Sequence, residues 1–420
     1  MRISKIIFLV TIVVLPFSFA INPVSGIDLS LIRVIIPILF LIWIGESFFY
    51  KKIFIDTRPR FLFLILFLTL IFLSIFWATE QQRAWRKILF IFSIFPVYLV
   101  AFDLFKKNLS KNAFLKIILA TSLVQAILGI FQFLLQFIVG ISTSLNLWQV
   151  NSRFFLGKNF AETVHQYSSW LVNINGETIL RAFGTFPDPH LFSLFIALSI
   201  PVSWYFFKKT KSQIYVIIAL IQLTAVALSF SRSNYLAVLI FLIILGITEL
   251  SQAIKQKKNI WIYLFGLFLI LAIIITPNPV SKRFNSSFNL NEGSNQGRLE
   301  MWGKSIDLIK KHPWNGVGIG NFSYHIKPSS SFREPIYAHN LFLDFGSEIG
   351  ILSIILLLLI FVAVFSHSSL HKKNNASNLN NIIISFFIIL FIFSLFETPF
   401  YSIRIFPLIL IFLAIPNEKS

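Results

Sequence analysis

The chain has 420 residues, of which 56% are hydrophobic and 13% charged, and its formal net charge is +19. A soluble domain carries about 25% charged residues, so this composition excludes an ordinary soluble protein and indicates a polytopic helical membrane protein. The absence of cysteine excludes a disulfide framework, a thiolate nucleophile and a cysteine-ligated metal site. We predict a single all-α integral membrane domain over residues 1–420.

Twelve segments are long and apolar enough to cross a bilayer, which requires about 20 residues per helix. Their approximate extents are 5–21, 29–50, 60–77, 84–105, 113–139, 189–207, 213–229, 233–249, 260–276, 340–366, 380–396 and 400–416. The apolar start after Arg2 and Lys5 is also typical of a signal peptide. The many later spans favour a retained first helix.

Basic residues in the short connections predict the orientation, because cytoplasmic loops are enriched in lysine and arginine. Alternate connections carry them: Lys51, Lys52, Arg58, Arg60, Lys106, Lys107, Lys111, Lys208, Lys209, Lys211, Lys255, Lys257, Lys258, Lys372 and Lys373. We therefore predict a multi-pass protein of the cytoplasmic membrane with both termini in the cytoplasm. Since this pattern accounts for much of the positive charge, we expect no nucleic-acid partner.

Two outer connections are long, 140–188 and 277–338, and loops of this kind often carry function. Apolar residues recur at spacings of three and four in the second one: Leu299, Trp302, Ile306 and Ile309. This pattern predicts an amphipathic helix at about 296–311 that ends before Pro313. The fold expected is therefore a helical bundle with a helical outer loop between spans nine and ten.

Two arginines are candidates for binding an anion. Arg298 falls in the first turn of the predicted loop helix, with Ser294 or Asn295 as its cap, and a helix N-terminus with a guanidinium suits phosphate. Arg232 lies in a tight outer turn, against the positive-inside pattern, and a charge at the hydrocarbon edge indicates function. The simpler alternatives are a solvated surface arginine for Arg298 and a snorkelling arginine for Arg232.

His339 stands directly before the tenth span, where a neutral imidazole could accept a proton from a sugar hydroxyl. A hydrogen-bonded structural histidine is the simpler alternative. Asp344 and Glu348 lie four residues apart and share a helix face. They could bind a divalent metal, orient His339 or pair with an outer arginine, and we favour arginine pairing.

Glycine and proline mark two further turns. Gly318 lies between Gly316 and Gly320, and alternating glycines could present backbone N–H groups to phosphate, although a tight turn explains them equally well. In the first long loop, the prolines that follow Arg181 suggest a shaped entry. Asp188 and His190 in that segment could contact substrate, with a structured turn as the safer interpretation.

In chain order, Arg181 to Pro189, Ser231-Arg232, Arg298 with Trp302, Pro313 to Phe322 and Ala338-His339-Asn340 resemble the O-antigen ligase and O-antigen polymerase superfamily. The resemblance covers about 180–350 and implies a fold similar to the GT-C class of membrane glycosyltransferases. It implies inverting transfer of a glycan from a polyprenyl-diphosphate carrier to an acceptor hydroxyl on the outer face, without metal or other cofactor. The implied partners are this lipid-linked glycan, a glycan, glycolipid or glycoprotein acceptor, and the bilayer.

The same resemblance implies the residue roles. Arg232 and Arg298 engage the diphosphate, and His339 is the base. The expected substrate-binding residues are Arg181, Trp302, Asn340, Gly318 and Glu348. Glu300 departs from the family pattern, because it would partly neutralise Arg298. The second long loop is also of modest length and leaves little room for a large acceptor-binding module. Ligase and polymerase stay equal alternatives.

Two other functions are compatible with the chain. Twelve spans suit a transporter of a small anion or envelope precursor, but transporters usually carry ionisable or broken-helix sites near the middle of the membrane. Here the ionisable residues cluster at span ends. A non-catalytic envelope partner would leave the arginines and His339 without a common purpose.

Overall fold

A computed structural model describes the protein over residues 2–24, 27–107, 109–163, 168–174, 176–257, 260–261, 276–330, 336–369 and 379–416. The helices in these ranges are α1 (Ile3–Val14), α2 (Ile32–Tyr50), α3 (Pro59–Leu73), α4 (Gln81–Ile94), α5 (Pro96–Lys106), α6 (Lys111–Val139), α7 (Ile141–Leu156), α8 (Lys158–Thr163), α9 (Pro189–Thr210), α10 (Ile214–Leu228), α11 (Arg232–Lys255), α12 (Pro279–Asn285), α13 (Gly293–Lys311), α14 (Phe322–Ile326), α15 (Leu341–Ile349), α16 (Ile351–Ser369), α17 (Leu379–Ser394) and α18 (Phe406–Ala414). Strands β1 (Ala20–Val24) and β2 (Ile27–Ser30) form one antiparallel hairpin, and β3 (Leu171–Ile174) and β4 (Glu177–Leu180) form another.

Within the described ranges, six helical segments are long and apolar enough to cross a membrane. They are α2, α3 with its 3₁₀ extension, the α4–α5 pair, α6, α9 and α11, and the shorter apolar helices are α1, α10, α16 and α17. This confirms the class of helical membrane protein. The number of twelve spans stays a prediction, and the predicted span 260–276 lies almost entirely outside the described residues.

Two predicted spans are shorter than their apolar runs. α1 ends at Val14, and the chain turns into β1 instead of continuing as helix to residue 21. The predicted span 400–416 forms helix only from Phe406, because Pro399–Tyr401 is a 3₁₀ turn. Hydropathy detects apolar residues but not the turns between them, so it overestimates such helices.

The predicted span 340–366 is divided at Gly350 into α15 and α16. Gly350 has φ +85° and ψ 174°, a conformation open essentially only to glycine. A Cβ here would overlap the carbonyl of Trp314. The turn that contains Trp314 packs on the end of α15, where the Val317 and Gly318 N–H groups donate to Ser347 O (3.0 Å) and Glu348 O (2.8 Å).

The first long loop is more ordered than predicted, since α7 occupies sixteen of its residues. Apolar residues of α7 at spacings of three, four and eight pack on the second hairpin and its flanks: Ile141, Leu145, Trp148 and Leu156. Asp28 of β2 holds α8 through the Asn159 and Phe160 N–H groups. The loop is therefore fixed to the rest of the bundle through β2 and the second hairpin.

α9 is the central helix and packs against α6, α10, α11 and α17. A buried amide joins three of these helices, because Gln222 donates to Ser122 and Ser199 at 2.9 Å each and accepts from Ser203 at 2.7 Å. Hydrogen bonds of this kind hold helices together in a bilayer, where burial of apolar surface gives no driving force. These hydrogen bonds tie α9 to α10 and, through Gln222, to α6.

The two ends of the bundle carry different basic residues. α9 has 22 residues and runs from His190 near its start to Lys208 and Lys209 near its end. At 1.5 Å per residue, it separates the two by about 30 Å. α11 likewise runs from Arg232 to Lys255 over 24 residues. We refer below to the site end, which carries His190 and Arg232, and the lysine end.

We predict that Gly350→Ala lowers the stability of the protein by at least about 2 kcal/mol, because it adds strain at positive φ and a clash with Trp314. The expected result is a lower melting temperature in detergent and less protein in the membrane. Gly303→Ala is the matched control, since nothing lies near a Cβ at that helical position and alanine favours helix. Equal stability of the two variants would contradict the proposed requirement for glycine at position 350.

Candidate active site

The centre of the site is a carboxylate, Glu397, that no sequence pattern indicated. It follows α17, in the turn that leads to Pro399–Tyr401. Its Oε2 accepts a hydrogen bond from His339 Nδ1 at 2.9 Å, and its Oε1 accepts from Arg298 Nη2 at 2.5 Å. His190 Nδ1 lies 4.0 Å from Oε1. One side chain thus joins two residues predicted to be catalytic.

The charges of this group set the protonation of His339. Burial opposes ionisation of Glu397, but His339, His190 and Arg298 outweigh burial and lower the pKa of Glu397 to about 2. Glu397 in turn raises the pKa of His339, against burial and Arg298. An ionised carboxylate only accepts hydrogen bonds, so neutral His339 carries its proton on Nδ1. Its Nε2 then has the lone pair that can accept a proton.

Local hydrogen bonds fix His339 in an uncommon backbone conformation, with φ +53°. Asn340, on one side, caps α15 by accepting from the Phe342 and Leu343 N–H groups at 3.0 Å. Its Nδ2 also donates to Leu395 O at 2.9 Å. Asn340 therefore ties the His339 backbone to the segment that carries Glu397.

Asp344 fixes the backbone that precedes His339. Its Oδ1 accepts from the Ala338 N–H at 2.7 Å, and Thr398 donates to its Oδ2. Among the residues that the structure describes, neither Asp344 nor Glu348 forms an ion pair with an arginine. The arginine pairing favoured above is therefore wrong, and Asp344 instead fixes the backbone N–H of the residue before His339.

A cavity of about 730 Å³ lies over Glu397, with His339 and Arg298 in its wall. The wall also contains polar and aromatic side chains: Asp188, His190, Tyr337, Tyr401 and Ser402. A smaller cavity of about 270 Å³ contains Arg232 and Trp302 and is otherwise mostly apolar, with Leu236, Phe284, Phe288 and Phe396. Arg298 lines both cavities, so they adjoin at this residue.

Arg232 begins α11 and is buried beside the smaller cavity. It donates to Glu292 and, at 2.5 Å, to Ser294 Oγ. Arg283, which no sequence pattern indicated, pairs with the other oxygen of Glu292 at 2.9 Å. Although burial raises the pKa of Glu292, Arg232 and Arg283 outweigh it and lower that pKa. The site therefore holds Glu292 as an anion between two guanidinium groups.

The loop helix differs from its prediction in where it begins. α13 starts at Gly293, so Arg298 lies in its second turn, and the interpretation of Arg298 as part of a helix N-terminal anion site is wrong. Ser294 and Asn295 are not its caps. Ser294 accepts from Arg232, and Asn295 donates to backbone carbonyls of the preceding turn, including Ser286 O at 3.0 Å.

Glu300 does not neutralise Arg298. It pairs with Lys304 at 2.6 Å on the exposed face of α13, whereas Arg298 points to Glu397. The departure from the family pattern expected at Glu300 therefore does not neutralise Arg298.

Arg181 is buried between the first long loop and the turn before Arg232. It donates to Ser229 O at 2.7 Å and to Ser169 O at 3.0 Å. Burial lowers the pKa of Arg181 to about 10, where it is still a cation at neutral pH. Arg181 is not among the residues that line the two cavities, and its contact with substrate stays a prediction.

Gly318 and Glu348 lie behind the cavity wall. The Gly318 N–H is used by Glu348 O, so it is not free for phosphate. The Glu348 carboxylate accepts from the Phe322 N–H at 3.3 Å and from Tyr401 Oη at 3.1 Å. These contacts support Tyr401, which lines the larger cavity, and direct substrate binding by either residue stays a prediction.

Residues 217–358 match the family model described as O-Antigen ligase. This segment is similar to the O-antigen ligase family. It contains Arg232, Arg298 and His339, while Arg181 and Glu397 lie on either side of it. No curated protein matches the chain. The similarity supports a membrane protein with a function of the broad O-antigen ligase or polymerase type, in polysaccharide biosynthesis.

We predict that Glu397→Gln lowers the pKa of His339, because the substitution removes the negative charge that raises it. With ¹³C-labelled histidine, the NMR titration midpoint assigned to His339 by its loss in His339→Gln should move to lower pH. Glu300→Gln removes one carboxylate from the exposed face of α13 and should leave that midpoint unchanged. A midpoint unchanged or raised in Glu397→Gln would show that Glu397 does not control His339.

Proposed function

We propose that the protein transfers a glycan from a polyprenyl-diphosphate carrier to an acceptor hydroxyl on the outer side of the cytoplasmic membrane. The observation that carries this proposal is the position of Arg298 between the two cavities. A polyprenyl-diphosphate donor consists of an apolar chain, a diphosphate and a glycan, in that order. The walls change in the same order, from apolar to basic at Arg232 and Arg298 to polar around His339.

The smaller cavity suits the lipid end of the donor. Its apolar side chains fit the first prenyl units, and Arg232 and Arg298 can meet the phosphate oxygens in bidentate geometry. Ser294 holds Arg232 and Glu397 holds Arg298 before any substrate binds. Fixed donors stabilise charge that develops in a reaction without having to reorganise.

The larger cavity suits the reacting sugar and the acceptor. The acceptor oxygen forms a bond to the anomeric carbon, while the bond from that carbon to the diphosphate oxygen breaks and the leaving oxygen keeps the electron pair. His339 Nε2 takes the acceptor proton, and Glu397 stabilises the imidazolium that results. Such a single displacement inverts the anomeric centre and requires no nucleophilic carboxylate.

Arginines supply the positive charge for the leaving diphosphate in this scheme, so we propose a metal-independent reaction. Undiminished transfer in EDTA is its direct test.

The lysine end supports the proposed sidedness, because α9 and α11 place Lys208, Lys209 and Lys255 about one membrane thickness from the site. The charged residues named here lie at helix ends and not at mid-membrane, which does not favour the transporter alternative.

We predict that Arg232→Ala, Arg298→Ala and His339→Ala each reduce transfer by about 100-fold or more, because each removes a group that stabilises charge or moves a proton. Purified protein with a lipid-linked glycan and its acceptor gives the rate, and membrane immunoblots give the amount of protein. Lys304→Ala, on the exposed face of α13, is the matched control. Unchanged transfer in all three variants would overturn the proposed enzyme.

Glu292 competes with a bound diphosphate, because it already holds Arg232 and Arg283. We therefore predict that Glu292→Gln binds geranyl diphosphate severalfold more tightly than the unmodified protein, since one repelling charge is lost. Calorimetric titration of the full chain in detergent measures this affinity. Glu300→Gln, which changes the net charge equally, should leave the affinity unchanged. Weaker binding in Glu292→Gln would show that Glu292 positions the arginines instead of competing for them.

A further inference from the structure

The lysine end contains a third cavity, of about 390 Å³, that is separate from the proposed active site. The start of α1, the segment after α2 and the end of α5 enclose it. Five of its lining residues are cations: Arg2, Lys5, Lys52, Lys106 and Lys107. Such a concentration of positive charge at a concave surface favours an anionic ligand.

The acidic groups around this cavity are already engaged. Asp103 pairs with Lys107 at 2.6 Å and also accepts from Trp43 Nε1 and the Phe54 N–H. Glu46 accepts from the Ile3 N–H and from Ser4 Oγ in the first turn of α1. Within the part of the chain that the structure describes, no carboxylate forms an ion pair with Arg2, Lys5 or Lys52. These three cations therefore leave the cavity with excess positive charge.

Beside the cavity lies an exposed apolar surface. The last turn of α2 presents Phe48 and Phe49, which are 79% and 80% exposed, and Ile53 and Ile55 follow Lys52 with 48% and 65% exposure. A free phosphate would make no favourable contact with this apolar surface. A ligand with an anionic head and apolar chains would contact both the cations and the aromatic rings.

We propose that this cavity binds the anionic headgroup of a bilayer phospholipid, with the acyl chains lying on the exposed end of α2. Basic pockets between membrane helices bind such headgroups. The positive-inside pattern explains why lysines occur in these connections, but it does not require residues from three separate segments to meet in one cavity. The bound lipid would link α1, α2 and α5.

The test uses the purified full-length chain in nonionic detergent, with short-chain phosphatidylglycerol and phosphatidylcholine as probes. Native mass spectrometry counts the retained lipids, and melting temperature reports the stabilisation that binding gives. We expect phosphatidylglycerol to bind preferentially and to raise the melting temperature. Lys5→Gln with Lys52→Gln should weaken this binding by about tenfold, whereas Lys52→Arg should retain it.

Lys211→Gln with Lys255→Gln is the matched control, because it removes the same charge from exposed positions at the lysine end outside the cavity. If both double variants lose phosphatidylglycerol binding equally, the binding depends on net charge alone, and the proposal is overturned. Displacement of the lipid by millimolar inorganic phosphate would overturn the choice of a lipid ligand. If the double variant does not accumulate, Lys52→Gln alone, at an exposed position, gives the same comparison.

Discussion

The hydrogen bonds of Glu397 to both Arg298 and His339 are the interaction on which the site depends. They join α13, the turn before α15 and the turn after α17, three segments that are far apart in sequence. A buried carboxylate is stable as an anion only when cations and hydrogen bonds compensate for lost hydration. Removal of either partner therefore affects the other two, and the three side chains act as one unit.

The sequence predicted the helical membrane class, the amphipathic loop helix and the three residues Arg232, Arg298 and His339. Each follows from a local signal: apolar run length, a spacing of three and four, or a charge at an outer span end. The prediction that these three residues share one site followed only from orientation and family resemblance, and the two adjoining cavities are visible only in the structure. Glu397 was missed because its partners lie 58 and 99 residues away, although an acid in a short outer connection was a usable sign.

Long-range contacts also explain the errors. The segment before Arg298 is rich in asparagine, serine and glycine, which disfavour helix, yet α13 begins at Gly293. Contacts of Glu292 and Ser294 with Arg232 fix this first turn, and Asn295 fixes the turn before it. The division at Gly350 likewise depends on the turn at Trp314 that packs against it. Tertiary contacts thus override local propensity at the start of α13, whereas at Gly350 they act together with the conformational freedom of glycine.

The location of Glu397 has a consequence for biosynthesis. Glu397 follows Arg298 and His339 in the chain, so both residues lack their carboxylate partner until the ribosome has produced it. A chain that ends before α17 leaves Arg298 without this partner. No such partial chain contains the proposed reaction centre.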